Sequence, residues 1–509
     1  MTILKTAQRT FSRIIHVLFS FFEKYLYEKP LNLVILSICI LLSINIYFSV
    51  CQFLKGGFIE TDMWFFAYRI EEIAHEGVGS LFVTPYGPVD VHPPLYYVIT
   101  VPLNKVGLSV LWIAALLRII TPLAVIYFLY KTAALLFGRT SAAVACFFMA
   151  LMPLSGSYHG LWTSTPSAVS LIPFSAGLYA TVKFSESQVK KWFVSAVILF
   201  LLASLTHMLT AFASFVFLGC ALFFLRKKIP KFFIFSLIII FVIISAYGLR
   251  YFSSLAGSTS LLDILKSAFG HPSQRKASVL RQSFFIAYWP QHFTLLASVS
   301  FCIVVSYFWN RKIPLRPMDK VFLTWTALLT VYSQLFLAGV YLSNQRFLLY
   351  LLFPLSIYGG YGFTRGVMPV VKKNAFLKFS FLVSILLSSA YPTGIALVYF
   401  PSTIRSDEVH SLEEMSKILP DGQVYVQNWF HNGRYLFAYV TGHQDVVWNI
   451  MRARDLRSVL KSSGRSSGID YVVATSEAEA QRFMNALGND ISLVWTDGRF
   501  YLLEVRNSL

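Results

Sequence analysis

The chain has 509 residues, of which 56% are hydrophobic and only 13% are charged. Soluble domains carry about 25% charged residues, so this chain has too few of them to cover its apolar surface. The composition excludes a soluble globular protein and predicts a polytopic α-helical membrane protein. The net charge of +19 does not indicate a nucleic-acid partner, because most basic residues flank apolar segments, as charges that orient membrane helices do.

Apolar runs of about 17–25 residues predict eleven membrane-spanning helices within a transmembrane domain at 31–400. Segment 1–30 is amphipathic and is expected to lie on the cytoplasmic membrane surface. Lys and Arg are concentrated in alternate loops, which places the N-terminus inside and the C-terminus outside. The interpretation of 191–225 is open, because it is either two spans that meet at His207 or one kinked helix with a re-entrant piece. The predicted spans are 31–54, 111–136, 141–157, 165–183, 191–206, 208–225, 232–249, 291–310, 321–341, 347–364 and 379–400.

The composition changes after Pro401. Segment 401–509 alternates strand-like with helical patterns and predicts a small extracytoplasmic α/β domain. No internal repeat is found, which disfavours a transporter, since transporters are often built from repeats. Strands are predicted at 423–427, 470–474, 491–495 and 499–505, and helices at 407–419, 452–461 and 476–487.

The first external loop, 55–110, is much longer than a simple connection between two spans, and such loops are usually functional. Asp62 lies in a segment that becomes helical, and Arg69 is seven residues further along, so both side chains can share one helix face. A carboxylate near the hydrocarbon boundary is costly unless it has a partner or a function. Two interpretations stand side by side: Asp62 is a general base, or Thr61 or Asp62 caps the helix.

The same loop contains the run Asp-Val-His-Pro-Pro-Leu-Tyr-Tyr at 90–97. Pro93 and Pro94 interrupt any helix and fix the start of the next one. His92 can donate or accept a hydrogen bond, and Tyr96 suits a membrane interface. The simpler alternative is a re-entrant helix start with aromatic anchors.

An acidic residue after the first span, followed by this His-Pro-Pro-Leu-Tyr-Tyr run, resembles the GT-C membrane glycosyltransferases. The similarity is greatest to the protein O-mannosyltransferase and lipid A aminoarabinose transferase group. It is specific over 55–100 and loose over 101–400. Over 401–509 it is one of arrangement, although the run at 435–443 looks like a short motif of such C-terminal domains.

This resemblance implies a GT-C fold and a multi-pass protein of the cell membrane with its active site on the extracytoplasmic side. It implies a polyprenyl- or dolichyl-phosphate sugar as donor and inverting transfer to an acceptor protein, glycan or lipid. Asp62 takes the catalytic role, with Glu60 as a second carboxylate. Many members have Asp-Glu where this chain has Glu60-Thr-Asp62. No cofactor is firmly indicated, and Glu60 with Asp62 form the candidate Mg²⁺ or Mn²⁺ site, on two ligands only.

The donor phosphate needs positive charge at the outer interface, and a guanidinium matches a phosphodiester. Arg346 is expected where a span begins on the outer side, although an arginine there can also extend to the interface without binding anything. Arg281 lies in a basic external loop at 250–290. The predicted substrate-binding residues are His92, Tyr96, Arg69, His207, Arg281 and Arg346.

Two other functions compete with this interpretation. A transporter or flippase of lipid-linked glycans predicts ionisable residues near mid-membrane, whereas here they gather at the outer interface. An oligosaccharyltransferase-like GT-C enzyme predicts a metal and a second acidic loop. The second external loop, 155–166, has no carboxylate, and the Trp-Trp-Asp-Tyr-Gly signature of those enzymes is absent from the sequence.

Overall fold

The structure is a computed structural model in which the chain divides into two compact units. The helical unit comprises 1–46, 91–96 and 116–398, and the mixed unit comprises 47–90, 97–115 and 399–509. The residues that the structure describes are 13, 17, 20, 23–24, 28–58, 61–81, 93–151, 161–226, 229, 235, 238–243, 245–246, 299–305, 315–334, 347–372, 377–378, 406–426, 433–443, 446 and 469–505.

Helices dominate the described residues. They are α1 (Pro30–Leu54), α2 (Thr61–Glu76), α3 (Leu95–Lys105), α4 (Val110–Phe137), α5 (Arg139–Leu151), α6 (Pro166–Val169), α7 (Leu171–Ser187), α8 (Lys190–Thr206), α9 (Met208–Leu225), α10 (Pro317–Gln334), α11 (Leu348–Gly362), α12 (Met368–Val371), α13 (Ser406–Ser416), α14 (Gly433–Thr441) and α15 (Glu477–Leu487). A 3₁₀ turn at Val78–Leu81 follows α2, and a π-helical turn at Phe363–Val367 joins α11 to α12.

Three of these helices, α1, α4 and α9, are long and apolar enough to cross a membrane, counting only the described residues. All three begin and end within one residue of a predicted span. Their length and composition confirm the prediction of a polytopic membrane protein. The count of eleven spans stays a prediction, and those at 232–249 and 379–400 fall largely outside the described residues.

The segment around His207 forms two helices and not one. α8 ends at Thr206, α9 begins at Met208, and His207 between them has extended backbone angles of φ −154° and ψ 130°. The two helices pack against each other. An extended residue cannot continue an α-helix, so the chain reverses direction here.

Close contact between α5 and α11 depends on glycine. A Cβ atom on Gly360 would lie 2.5 Å from the Ser141 carbonyl oxygen, too close for any side chain. The Ser141 hydroxyl lies 2.9 Å from that of Thr364, in the π-helical turn after α11. Small residues therefore let the two backbones approach, as they commonly do between membrane helices.

Arg316, at the start of α10, joins three helices of the helical unit. It donates two hydrogen bonds to the Asp319 carboxylate, at 2.9 and 3.0 Å, and one to the Leu136 carbonyl at the end of α4. Tyr358 of α11 donates to the same carboxylate at 3.0 Å. The charge of Asp319, which is 2% exposed, is thereby neutralised.

The mixed unit contains a four-stranded sheet with the order β1-β2-β4-β3. β1 (Gln423–Val426) and β2 (Ile469–Ala474) are parallel, and β4 (Tyr501–Val505) is antiparallel to β2 and to β3 (Ile491–Thr496). Helix α15 contributes Phe483 to a buried core with the sheet residues Val472 and Leu503.

All four predicted strands are confirmed to within two residues at each end. The helices predicted at 407–419 and 476–487 are confirmed to within three residues at each end. The helix predicted at 452–461 lies outside the described residues.

Candidate active site

Asp62 is the second residue of α2, and its side chain is half-buried. The positive end of the helix dipole favours a carboxylate at this position, so Asp62 also suits the start of the helix. Its position on a rigid element in the first external loop is compatible with both interpretations made from the sequence. A catalytic role for Asp62 stays a prediction on this geometry alone.

Aromatic side chains attach α2 to α14 within the mixed unit. Trp64 contacts Phe58 and Tyr439, with ring centroids 5.0 and 5.6 Å apart, and Phe65 contacts Tyr435 at 4.9 Å. Trp64 and Phe58 are fully buried. A Cβ atom on Gly57 would lie 2.7 Å from the Trp64 ring, so glycine is required there for this packing. These rings hold the helix that carries Asp62 in a fixed orientation.

Arg69 is 1% exposed and lies among polar groups of its own segment. Its guanidinium forms an ion pair with Glu72, three residues along α2, and donates to the Ser80 carbonyl at 2.7 Å. Glu72 is 3% exposed. The pair ties α2 to the 3₁₀ turn that follows it, and a role for Arg69 in binding substrate stays a prediction.

Glu71 is a further carboxylate on α2, half-buried beside α14. Burial raises its pKa to about 7, because a charged carboxylate loses hydration there. Burial also raises the pKa of Tyr439, and the negative charge of Glu71 adds to that shift. No local pattern in the sequence selects Glu71, because its burial depends on α14, a helix from the far end of the chain.

Tyr96 lies two residues after the Pro93-Pro94 pair, and α3 begins at Leu95, as the sequence predicted. The side chain of Tyr96 is 1% exposed, and its hydroxyl donates to the Ser164 carbonyl at 2.9 Å. This bond joins the end of the first external loop to the segment before α6. Tyr96 therefore has a buried, fixed hydroxyl.

His207 belongs to a buried hydroxyl cluster in the helical unit. Its Nδ1 lies 3.3 Å from the Thr210 hydroxyl, which also lies 2.6 Å from that of Ser170 and 2.7 Å from that of Tyr350. The Ser170 hydroxyl donates to the Ser167 carbonyl at 2.7 Å. Side chains from α9, α11 and the start of α7 thus share hydrogen bonds around Thr210.

The cluster continues along 163–167. The hydroxyls of Thr163 and Thr165 lie 3.1 Å apart, and those of Thr165 and Ser167 lie 2.9 Å apart. All are buried. Thr210, Ser170 and Tyr350 were not among the predicted site residues, and the region was notable only for its lack of carboxylates. The density of Ser and Thr in the run 163–170 is the sequence signal that marks it.

Four of the predicted site residues, Glu60, His92, Arg281 and Arg346, lie outside the described residues. Within the described ranges, no group of three His, Cys, Asp or Glu side chains forms a cluster that could hold a metal ion. Since Glu60 falls in a gap, the Mg²⁺ or Mn²⁺ site at Glu60 and Asp62 stays a prediction.

Residues 91–248 match the family described as dolichyl-phosphate-mannose-protein mannosyltransferase. The match includes Tyr96, His207 and the hydroxyl cluster as far as Thr210. No curated protein matches the sequence.

Solved structures of an oligosaccharyltransferase from Archaeoglobus fulgidus resemble this chain over most of its length. One, tethered to an acceptor peptide, has a TM-score of 0.54 at 14% identity, covering 91% of this chain and 71% of that one. Another, in complex with an inhibitory peptide and a dolichol-phosphate, has a TM-score of 0.51 at 16% identity, covering 92% and 71%. At these identities the likeness establishes the fold.

ArnT from Cupriavidus metallidurans aligns with a TM-score of 0.47 at 13% identity, covering 87% of this chain and 93% of that one. The fold rests on the archaeal structures. The chain therefore has the fold of these archaeal structures, and its segment 91–248 is similar to the mannosyltransferase family.

Proposed function

We propose that the protein transfers one sugar from a polyprenyl- or dolichyl-phosphate donor to an acceptor on the extracytoplasmic face of the membrane. The donor class is supported by the family match, whose description names a dolichyl-phosphate-linked mannose. It is also supported by the dolichol-phosphate bound to the archaeal oligosaccharyltransferase of the same fold. The distribution of Lys and Arg along the sequence supports the external location.

In this proposal the Asp62 carboxylate is the general base. It accepts a proton from the acceptor's hydroxyl or amine while that oxygen or nitrogen attacks the anomeric carbon of the sugar. The bond between this carbon and the phosphate oxygen breaks, and the lipid phosphate leaves with the electron pair. Attack opposite the leaving group inverts the anomeric configuration, and no nucleotide is consumed.

The observation that carries the assignment is the anchoring of α2. A half-buried carboxylate stands at the first turn of a helix whose aromatic face is fixed against α14 of the same unit. A general base needs such a fixed position, because proton transfer depends on geometry within a few tenths of an ångström. A helix lying loosely on the membrane would not supply it.

The hydroxyl cluster around Thr210 suits the sugar or phosphate end of the donor. Its hydroxyls are uncharged and buried, and each can both donate and accept, which matches the hydroxyls of a sugar. The family match over 91–248 includes Ser170, His207 and Thr210 of this cluster. We assign it to donor binding and leave the identity of the sugar to experiment.

The test compares Asp62→Asn with Glu76→Gln, which removes an exposed carboxylate from the other end of the same helix. Both proteins are purified, reconstituted in liposomes and supplied with radiolabelled polyprenyl-phosphate hexoses and acceptor membranes. We expect Asp62→Asn to lose about 10²- to 10⁴-fold in transfer rate, as loss of a general base does, and Glu76→Gln to retain it.

Retention of full transfer by Asp62→Asn would exclude Asp62 as the base. If the wild type consumed only a lipid-diphosphate oligosaccharide, the oligosaccharyltransferase-like alternative would replace the proposed donor class. Movement of donor between leaflets without consumption would favour a flippase.

A further inference from the structure

A pocket of about 470 Å³ lies at one end of the helical unit, where α4 ends and α5 begins. Three cationic side chains line it: Arg139 at the start of α5, Arg365 in the π-helical turn and Lys372 after α12. The described residues that line it include no acidic side chain. A concentration of positive charge around a concave space favours an anion.

The polar floor of the pocket is formed by hydroxyls. Ser141 and Thr364 are 4% and 8% exposed, and their hydroxyls lie 2.9 Å apart. The Thr364 hydroxyl also lies 3.1 Å from the Gly360 carbonyl oxygen and 3.0 Å from that of Tyr361, so its proton stays within its own helix. Thr140 lines the same space, in the first turn of α5. The first backbone N–H groups of a helix have no intrahelical acceptor, so this turn also presents donors to an anion.

Two of the three cations are uncommitted within the part of the chain that the structure describes. Lys372 forms an ion pair with Glu23 at 2.6 Å. Arg139 and Arg365 are exposed, and no carboxylate there pairs with either. Arg316 provides the contrast, because Asp319 neutralises it and it serves to hold helices together.

Positive charge at the cytoplasmic ends of helices is expected in any membrane protein, because it orients the spans. That rule alone requires neither a cavity nor buried hydroxyls nor a change of helix type. Here a π-helical turn, a feature often found at functional sites, places Thr364 and Arg365 on the pocket wall. A cavity, unpaired cationic side chains and a π-helical turn in one place are typical of a binding site.

We infer that this pocket binds a phosphate group at the cytoplasmic face, on the opposite side of the membrane from the proposed transfer reaction. Two guanidinium groups and the first backbone N–H groups of α5 match the several acceptor oxygens of a phosphate, and arginine pairs with it bidentately. The phosphate belongs either to the headgroup of an anionic phospholipid or to a soluble phosphoester. The proposal is independent of the donor, the acceptor and Asp62.

The test uses the full chain with Arg139→Gln and Arg365→Gln, singly and together. The matched control is Arg226→Gln, which removes an equally exposed arginine at the end of α9, predicted on the same membrane side but not part of the pocket. One arm titrates short-chain phosphatidylglycerol in a neutral detergent and counts bound lipid by native mass spectrometry. The other measures thermal stabilisation by inorganic phosphate against chloride at equal ionic strength.

We expect each pocket variant to weaken binding in one of the two arms by about tenfold, the loss typical of one charge-assisted contact. Arg226→Gln should bind as the wild type does. Loss in the lipid arm identifies a headgroup, and loss in the phosphate arm identifies a soluble phosphoester. Equal weakening by Arg226→Gln, or wild-type binding by the double variant, would overturn the proposal. The exposed positions of both arginines make misfolding a poor explanation, and the unfolding curves check it.

Discussion

Two buried polar sites, one in each unit of this protein, differ in their chemistry. In the mixed unit the buried polarity of the first external loop is ionic, since Arg69 and Glu72 pair at 1% and 3% exposure. In the helical unit the cluster around Thr210 is built from neutral hydroxyls of several helices. A buried charge needs a partner with opposite charge, whereas a hydroxyl can share its bonds with any neighbour. Substitution of one residue in the Arg69–Glu72 pair should therefore lower the stability of the protein far more than substitution of one hydroxyl in the Thr210 cluster.

The strongest test of this difference is Arg69→Leu. It leaves the Glu72 carboxylate buried without its ion-pair partner, and breaking one side of such a pair costs about 3–5 kcal/mol. We expect a large fall in the unfolding temperature of the protein in detergent, and tryptophan fluorescence measures it.

The control is Arg482→Leu, which removes an arginine from the exposed face of α15 in the same unit and should change stability by less than about 0.5 kcal/mol. Adding Glu72→Leu to Arg69→Leu should restore most of the loss. If the double variant is no more stable than Arg69→Leu alone, Arg69 does not stabilise the protein through its ion pair with Glu72.

A smaller effect is expected in the neutral cluster from Thr210→Val, which keeps the side-chain shape but removes the hydroxyl shared with Ser170 and Tyr350. Loss of a buried hydrogen-bonding partner costs about 1–3 kcal/mol. Thr326→Val is the matched control, because among the described residues that buried hydroxyl bonds to its own helix, at the Phe322 carbonyl.

The same pair of variants tests the proposed role in donor binding. If the cluster holds the donor's sugar or phosphate, Thr210→Val raises the KM for donor, whereas Thr326→Val leaves it unchanged. A loss of stability in Thr210→Val without any change in KM would restrict the cluster to a structural role.

Features that depend on a few neighbouring residues could be predicted from the sequence. The strands and helices of the C-terminal domain follow from local patterns of a few residues, and their positions were predicted closely. The helix start at Leu95 follows from Pro93 and Pro94 alone. Local steric rules decide these features, so no tertiary information was needed.

The composition of each site could not be predicted in the same way. Thr210 meets Ser170 across 40 residues and Tyr350 across 140. Single serines and threonines give no periodic signal, because most of them bond to their own helix, as Thr326 does. Likewise, the contact between Trp64 and Tyr439 joins the first external loop to the far end of the chain, and neither segment shows it by itself.

The smallest expected effect concerns Glu71, a carboxylate in the mixed unit. Its pKa in the folded protein is about 7, above the ordinary value of 4.5. The folded chain therefore binds more protons than the unfolded chain between these two values. By linkage, stability from this group is greatest below about pH 4.5, falls as pH rises to about 7, and is then constant. Glu71→Gln removes the charge, so its stability relative to wild type should grow over that interval.

Full linkage over this interval would give about 3 kcal/mol, but the side chain is partly exposed to solvent, so we expect about 1 kcal/mol at pH 8 and none near pH 4.5. Unfolding temperatures of wild type, Glu71→Gln and Glu76→Gln are compared at several pH values between 4.5 and 8. Glu76 is exposed on the same helix, so its variant should follow the wild type throughout. A constant difference between Glu71→Gln and wild type would show that the glutamine changes packing and not ionisation. If Glu71→Gln is more stable than wild type only at higher pH, even a half-buried charge beside α14 lowers the stability of the folded protein. The hydroxyl cluster around Thr210 carries no charge on its hydroxyls and so has no such cost.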